Sequence, residues 1–106
     1  VSAFPAEDFQ VVTPIPVGEL ETRYYLRFRV EDKPGVLAQL STILGNNQIS
    51  IASVRQTEAP GNPTVSVVFV THRAREAHVQ TALQTIAQLE IVKEEPVLLR
   101  IEDFQE

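Results

Sequence analysis

Asp32-Lys33-Pro34-Gly35-Val36-Leu37 is the stretch whose residue types and spacing best suit binding chemistry. It joins an alternating segment, Tyr25-Leu26-Arg27-Phe28-Arg29-Val30, to a run in which Val36, Leu37, Leu40, Ile43 and Leu44 recur at helical spacing. A strand must turn sharply into a helix here. Pro34 suits the first helical position, because its missing N–H would have no partner there. Gly35 leaves the helix start without a side chain, so another group can approach the free amides of Gly35, Val36 and Leu37. Those donors and the helix dipole form a seat for a small anion such as a carboxylate. Asp32, at the mouth of the turn, either meets a ligand or serves as a helix cap or Asx turn. The alternative for the whole stretch is a turn that uses Pro and Gly for geometry alone.

Other polar groups offer less. His72 and His78 have no partner at metal-ligand spacing and read as surface histidines. Glu94 and Glu95 are adjacent on an extended segment, so they point opposite ways and do not form an acid/base pair. Arg27 and Arg29 read as a solvated sheet face. There is no Ser-His-Asp order, phosphate loop or dinucleotide glycine fingerprint, and we assign no catalytic residue and no metal ligand.

The elements around the turn follow from pattern. The first strand puts Leu26, Phe28 and Val30 on one face and Tyr25, Arg27 and Arg29 on the other. Gly45-Asn46-Asn47 ends the first helix with residues that tolerate left-handed backbone. Ile49 to Thr57 reads as a second strand, 58–63 as a loop rich in turn formers, and Thr64 to Thr71 as a central strand. A second helix fits Arg75 to Leu89, with Val79, Leu83 and Ile86 as its stripe and Ala82 beside them. Glu90 to Lys93 and Val97 to Ile101 supply a last strand interrupted by Glu94-Glu95-Pro96, an edge because Pro96 cannot donate to a ladder. The order β-α-β-β-α-β predicts an α+β, ferredoxin-like fold: a four-stranded antiparallel sheet with both helices on one face. Residues 1–22 read as a linker or the remnant of a preceding domain, 23–102 as the domain, and 103–106 as a frayed tail.

Composition narrows the functions. With 106 residues the chain holds one domain, and 43% hydrophobic content suffices for one core. A net charge of −5 argues against a nucleic-acid groove, and the third strand offers Phe69 without flanking cations for base stacking. There is no cysteine, hence no disulfide or thiolate metal site, and no apolar run of membrane-spanning length. A cytoplasmic setting is compatible with this. The chain has no methionine, not even an initiator, and is expected to be a piece of something longer. Ile49 to Val54 has neither charge nor proline to guard an edge strand, so a two-fold homodimer through the second strand and first helix is expected.

The segment from Arg23 to Ala38, with its Lys33-Pro34-Gly35-Val36-Leu37 core, strongly resembles the ACT domain, a family of regulatory modules that bind small molecules, usually amino acids. Ile49-Ser50-Ile51-Ala52-Ser53-Val54 and Pro96 to Glu102 narrow the likeness to the C-terminal ACT domains of the homoserine dehydrogenase family. The resemblance implies a sensor of threonine that restrains NAD(P)H-dependent reduction of aspartate semialdehyde, with the NAD(P) site and the catalysis in a region this chain lacks. It implies an effector seated between two copies. Asp32, Gly35, Val36 and Leu37 would come from one copy, and Ile49, Ser50 and Ile51 from the other. In that arrangement the amides of Gly35, Val36 and Leu37 receive the α-carboxylate, Asp32 pairs with the α-ammonium, and Ser50 bonds a polar group. A different role from the same sequence is a dimerisation module whose pocket is empty.

Overall fold

The structure, a computed structural model, describes residues 16–58 and 60–101. A 3-10 helix at Val17–Glu19 leads into β1 (Glu21–Glu31), α1 (Val36–Asn46), β2 (Ile51–Glu58), β3 (Thr64–Thr71), β4 (Ala74–Arg75), α2 (Glu76–Ala87) and β5 (Val97–Ile101). The sheet is antiparallel: β3 lies between β2 and β1, and β5 pairs with the other side of β1. The two-residue β4 pairs with the first residues of β1, Thr22 opposite Ala74. The expected ferredoxin-like βαββαβ order is present, with β1 and β3 central and β2 and β5 at the edges.

Alternation puts the core on one face. Tyr24, Leu26, Phe28 and Val30 of β1 and Val65, Val67 and Phe69 of β3 are buried, and they pack in one cluster with Val36, Leu40 and Leu44 of α1 and Val79, Ala82 and Ile86 of α2. Phe28 and Phe69 meet edge to face, centroids 5.9 Å apart, a geometry that adds about 1 kcal/mol to the area they bury. Phe69, considered above as a possible stacking surface, is thus a core residue.

Several boundaries differ from the sequence reading, each for a local reason. α1 begins at Val36 rather than Pro34, because Gly35 is its N-cap and adopts left-handed backbone. The left-handed residue at the far end of α1 is Gln48 (φ 65°) rather than Gly45, Asn46 or Asn47. The Ile49 amide donates to Leu44 O and the Gln48 amide to Gly45 O, which is the paired bonding of a Schellman C-cap. Ile49 is therefore a buried staple against Leu44, and β2 starts two residues later. α2 spans Glu76–Ala87, one residue short of the expectation at its start and two at its end. Glu90 to Lys93 is not a strand: it is held to β1 by a Val30–Val92 bridge and by the Lys93 amide donating to Arg29 O. Most of 1–22, and all of 103–106, lie outside the described residues.

One buried group stood unnoticed in the sequence. Glu76, 1% exposed at the first turn of α2, accepts hydrogen bonds from Tyr24 Oη (2.5 Å), Gln80 Nε2 (2.7 Å), and Arg100 Nε (3.1 Å) and Nη2 (2.7 Å). Its backbone amide donates to Leu20 O at 2.8 Å. One carboxylate thus fastens β1, α2 and β5 where the chain enters the domain. Burial pushes the carboxyl up, but the Arg100 fork, the Tyr24 hydroxyl and Gln80 outweigh it and hold it below the ordinary range. The Tyr24 phenol is pushed up, by burial first and by the adjacent carboxylate second. Glu76→Gln should cost about 1.5–3 kcal/mol at neutral pH by removing charge-assisted bonds. Because the folded carboxyl titrates below its unfolded value, this contribution is complete above the ordinary value of 4.5 and fades as pH falls through the folded one. Urea titrations of wild type and Glu76→Gln at pH 7 and at about pH 3 should show the gap closing in acid.

Candidate functional site

β1 ends at Glu31, and the chain reaches α1 through Asp32-Lys33-Pro34-Gly35. The Val36 amide turns back to Lys33 O at 3.4 Å, with Pro34 and Gly35 between them, and Gly35 has φ 86° and ψ −9°. These are the Pro and Gly positions of a type II turn. Pro34 therefore serves the turn rather than the first helical position. A Cβ built on Gly35 would meet nothing within 4 Å, so glycine is required here by backbone conformation and not by a close neighbour. Gly35 carries no side-chain cap bond, and among the described residues no backbone acceptor serves the amides of Gly35 and Leu37. This is the anticipated donor end, with Val36 partly committed to the turn.

A cleft of about 80 Å³ opens beside it, lined by Val30, Val65 and Val67 below and by Asp32, Gly35, Leu37 and Gln56 at its rim. Sequence reasoning missed Gln56. It reaches the cleft because β2 pairs with β3 in a register that sets Gln56 opposite Val67, on the helix-covered side. Knowledge of that pairing, and not the residue type, is what finds it.

The charges around the cleft are sorted. Lys33 and Lys93 both bind Glu31, at 3.1 and 2.9 Å. Hydrogen bonds from Lys93 first and Lys33 second hold the Glu31 carboxyl below its ordinary range. Both lysines are thereby matched. Asp32 is exposed; its amide donates to Pro63 O at 3.1 Å, and its carboxylate has no hydrogen-bond or ion-pair partner among the described residues. The cap of α1 is Gly35, so Asp32 is not spent as a helix cap. The cleft is left with a positive pole of open amides and a negative pole at Asp32.

The structure thus brings Asp32, Gly35, Val36 and Leu37 together, with Val36 largely turned into the core. Ile49, Ser50 and Ile51 lie elsewhere. Ile49 is buried, Ser50 is exposed and accepts the His72 amide through its carbonyl, and Ile51 pairs with Thr71 at the far end of β3. Six residues of extended chain separate Ser50 from Gln56, roughly 20 Å. No single chain can place Ser50 in this cleft.

A family model described as ACT domain matches residues 24–91, which includes every residue of the turn and cleft. The chain belongs to the ACT domain family. This ACT domain is also 30% identical over 104 residues to a homoserine dehydrogenase of Neisseria gonorrhoeae and 38% identical over 91 residues to that of Methylobacillus glycogenes, covering 98% and 85% of the chain. It spans 24% and 22% of those two proteins. The crystal structure of a homoserine dehydrogenase from Thiobacillus denitrificans superposes with a TM-score of 0.78 at 34% identity, over 91% of this chain and 21% of that one. Among the described residues no helix is long and apolar enough to cross a membrane.

Left-handed backbone at Gly35 sets a simple expectation. Gly35→Ala should cost about 1–2 kcal/mol through strain alone, and Gly35→Asn less, since asparagine tolerates that region. Thermal or urea unfolding of the two variants checks the order.

Proposed function

We propose that this ACT domain is the regulatory portion of a homoserine dehydrogenase and senses an amino acid, threonine by family likeness. The parent would reduce aspartate semialdehyde to homoserine with NAD(P)H in a region this chain does not contain, so no dehydrogenase activity is expected of the 106 residues alone. One observation carries the reading: the two uncommitted poles of the cleft are those a zwitterion needs. The open amides of Gly35 and Leu37, with Val36 beside them, suit the α-carboxylate, and Asp32 suits the α-ammonium.

A cleft of about 80 Å³ is far below the 300 Å³ or so of ordinary ligand sites. A second copy would supply the missing wall. β2 is an edge whose outer N–H and C=O groups are unpaired among the described residues, and Val54 on it is 45% exposed. Two-fold antiparallel pairing of two β2 strands centred on Ser53 would set Ser50 of the partner subunit beside Gln56 at the cleft mouth. Ile51 would flank it, while Ile49 would support the turn from the core. The same geometry would serve a dimerisation module with no effector, and binding decides between them.

Titration calorimetry with threonine on the 106-residue chain is expected to show saturable heat, and Asp32→Ala to weaken it by about 1–3 kcal/mol, the loss of a charged hydrogen bond. A folded dimer that gives no heat up to about millimolar threonine, the weak end of the affinity scale, would favour the dimerisation module. Val54→Lys, a charge on the bare edge, should shift the sedimentation mass from dimer to monomer and weaken threonine binding with it.

A further inference from the structure

The face of the sheet opposite the helices is where this chain concentrates its arginine. Register fixes two adjacent rows across it. Leu99, Tyr25, Val70 and Ser53 stand side by side in one, and Val97, Arg27, Val68 and Arg55 in the next. Arg23 and Arg29 lie on the same side of β1, one at each end of these rows. Four of the nine basic residues of the chain are therefore on this face, all of them arginine, while α1 and α2 contain no Lys or Arg at all. The two lysines are both paired with Glu31.

Arg27 and Arg55 are exposed and have no acidic partner among the described residues; Arg29 lies 3.8 Å from Glu94, and Arg23 donates to Thr71 O. Between the cations the face is mainly apolar: Leu99 is 56% exposed, and Tyr25, Val68 and Val70 are half-buried beside a hollow of about 390 Å³ that Ser53, Arg55 and Thr57 also line. Arginine with aromatic and aliphatic side chains, and without lysine, is the composition of a protein interface and not of a merely solvated face. A second copy does not fit it, because face-to-face stacking at about 10 Å would oppose two sets of four arginines. Nor does nucleic acid: the net charge is −5 and a single ring, Tyr25, is available for stacking.

We propose that this open sheet face docks against the catalytic region of the longer polypeptide, on an apolar patch rimmed by carboxylates. This rests on the reading above that the chain is one part of a homoserine dehydrogenase. Its homologues there are about four times its length, so a tethered partner is present at high effective concentration. Arg27 and Arg55, which pair with no acidic group among the described residues, meet carboxylates of that region.

The test uses the full polypeptide beside the 106-residue chain. Hydrogen exchange of segments 23–29 and 53–57 should be slower in the full polypeptide, and Arg27→Glu/Arg55→Glu should abolish the difference while the melting temperature of the 106-residue chain stays unchanged. The charge-reversed full polypeptide should bind threonine within about twofold of wild type yet need about tenfold or more threonine for the same inhibition. Arg27→Lys/Arg55→Lys should retain most of the inhibition. Equal exchange of these segments in both forms overturns the docking, and so does unaltered inhibition in the charge-reversed protein, or single-stranded RNA held by the wild-type face and lost on charge reversal. Absence of threonine binding sinks the sensor reading instead; the exchange comparison then still decides the docking.

Discussion

A period of two along one strand sets the terms for the rest of this domain. β1 is eleven residues long and central, so each of its side chains must choose between a helix-covered face and an open one. Its even-numbered residues from Tyr24 to Val30 take the core, which brings both helices to that side. Its odd-numbered residues inherit the other face and carry the arginines there. The ends of the strand are equally committed. Tyr24 joins the Glu76 knot near the entrance, and Glu31 holds two lysines at the exit, where the type II turn starts α1. A one-residue slip of β1 would invert all of this at once, exposing Phe28 and burying Arg27.

The chain holds two contrasting carboxylates, and the contrast bears on what each does. Glu76 is buried, receives four hydrogen bonds and faces a guanidinium fork, so its charge is compensated on the spot. A group so fully satisfied has nothing left to offer a ligand, and removing Arg100 would strand a buried charge. Asp32 is exposed at the cleft mouth and satisfied by nothing described within the chain. Water solvates it in the free domain, and under the proposed reading an ammonium group takes the place of that water.

How much could be read beforehand follows from the range of the interactions. The β-α-β-β-α-β order, the central placement of β1 and β3 and the core stripes rest on period and on turn residues within a few positions, and these were legible. So was the cluster of Asp32, Gly35 and Leu37, because one turn contains it. What escaped depended on partners distant in sequence. Glu76 meets Tyr24 52 residues before it and Arg100 24 after it, so its burial has no local sign; alone it looks like an ordinary charge in the first turn of a helix. Gln56 reaches the cleft only through the β2–β3 register. Gln48 adopts left-handed backbone although Gly45, Asn46 and Asn47 precede it, because the Ile49–Leu44 staple decides where α1 stops. Residue preference proposes such positions, and packing disposes of them.

An incomplete cleft has a thermodynamic consequence under the proposed reading. If two copies each supply part of the wall, ligand and partner bind to the same state, and each raises the apparent affinity for the other by the same factor. Effector affinity measured on this domain would then depend on protein concentration, and dimer stability on effector concentration. A preformed pocket within one chain would show neither dependence. Under that reading, the edge of β2, open among the described residues, and the small volume beside Gly35 are two views of one arrangement, in which a partner adds a strand to the first and a wall to the second. A single neighbour could supply both, and the free energy of covering the edge would then help hold the amino acid in place.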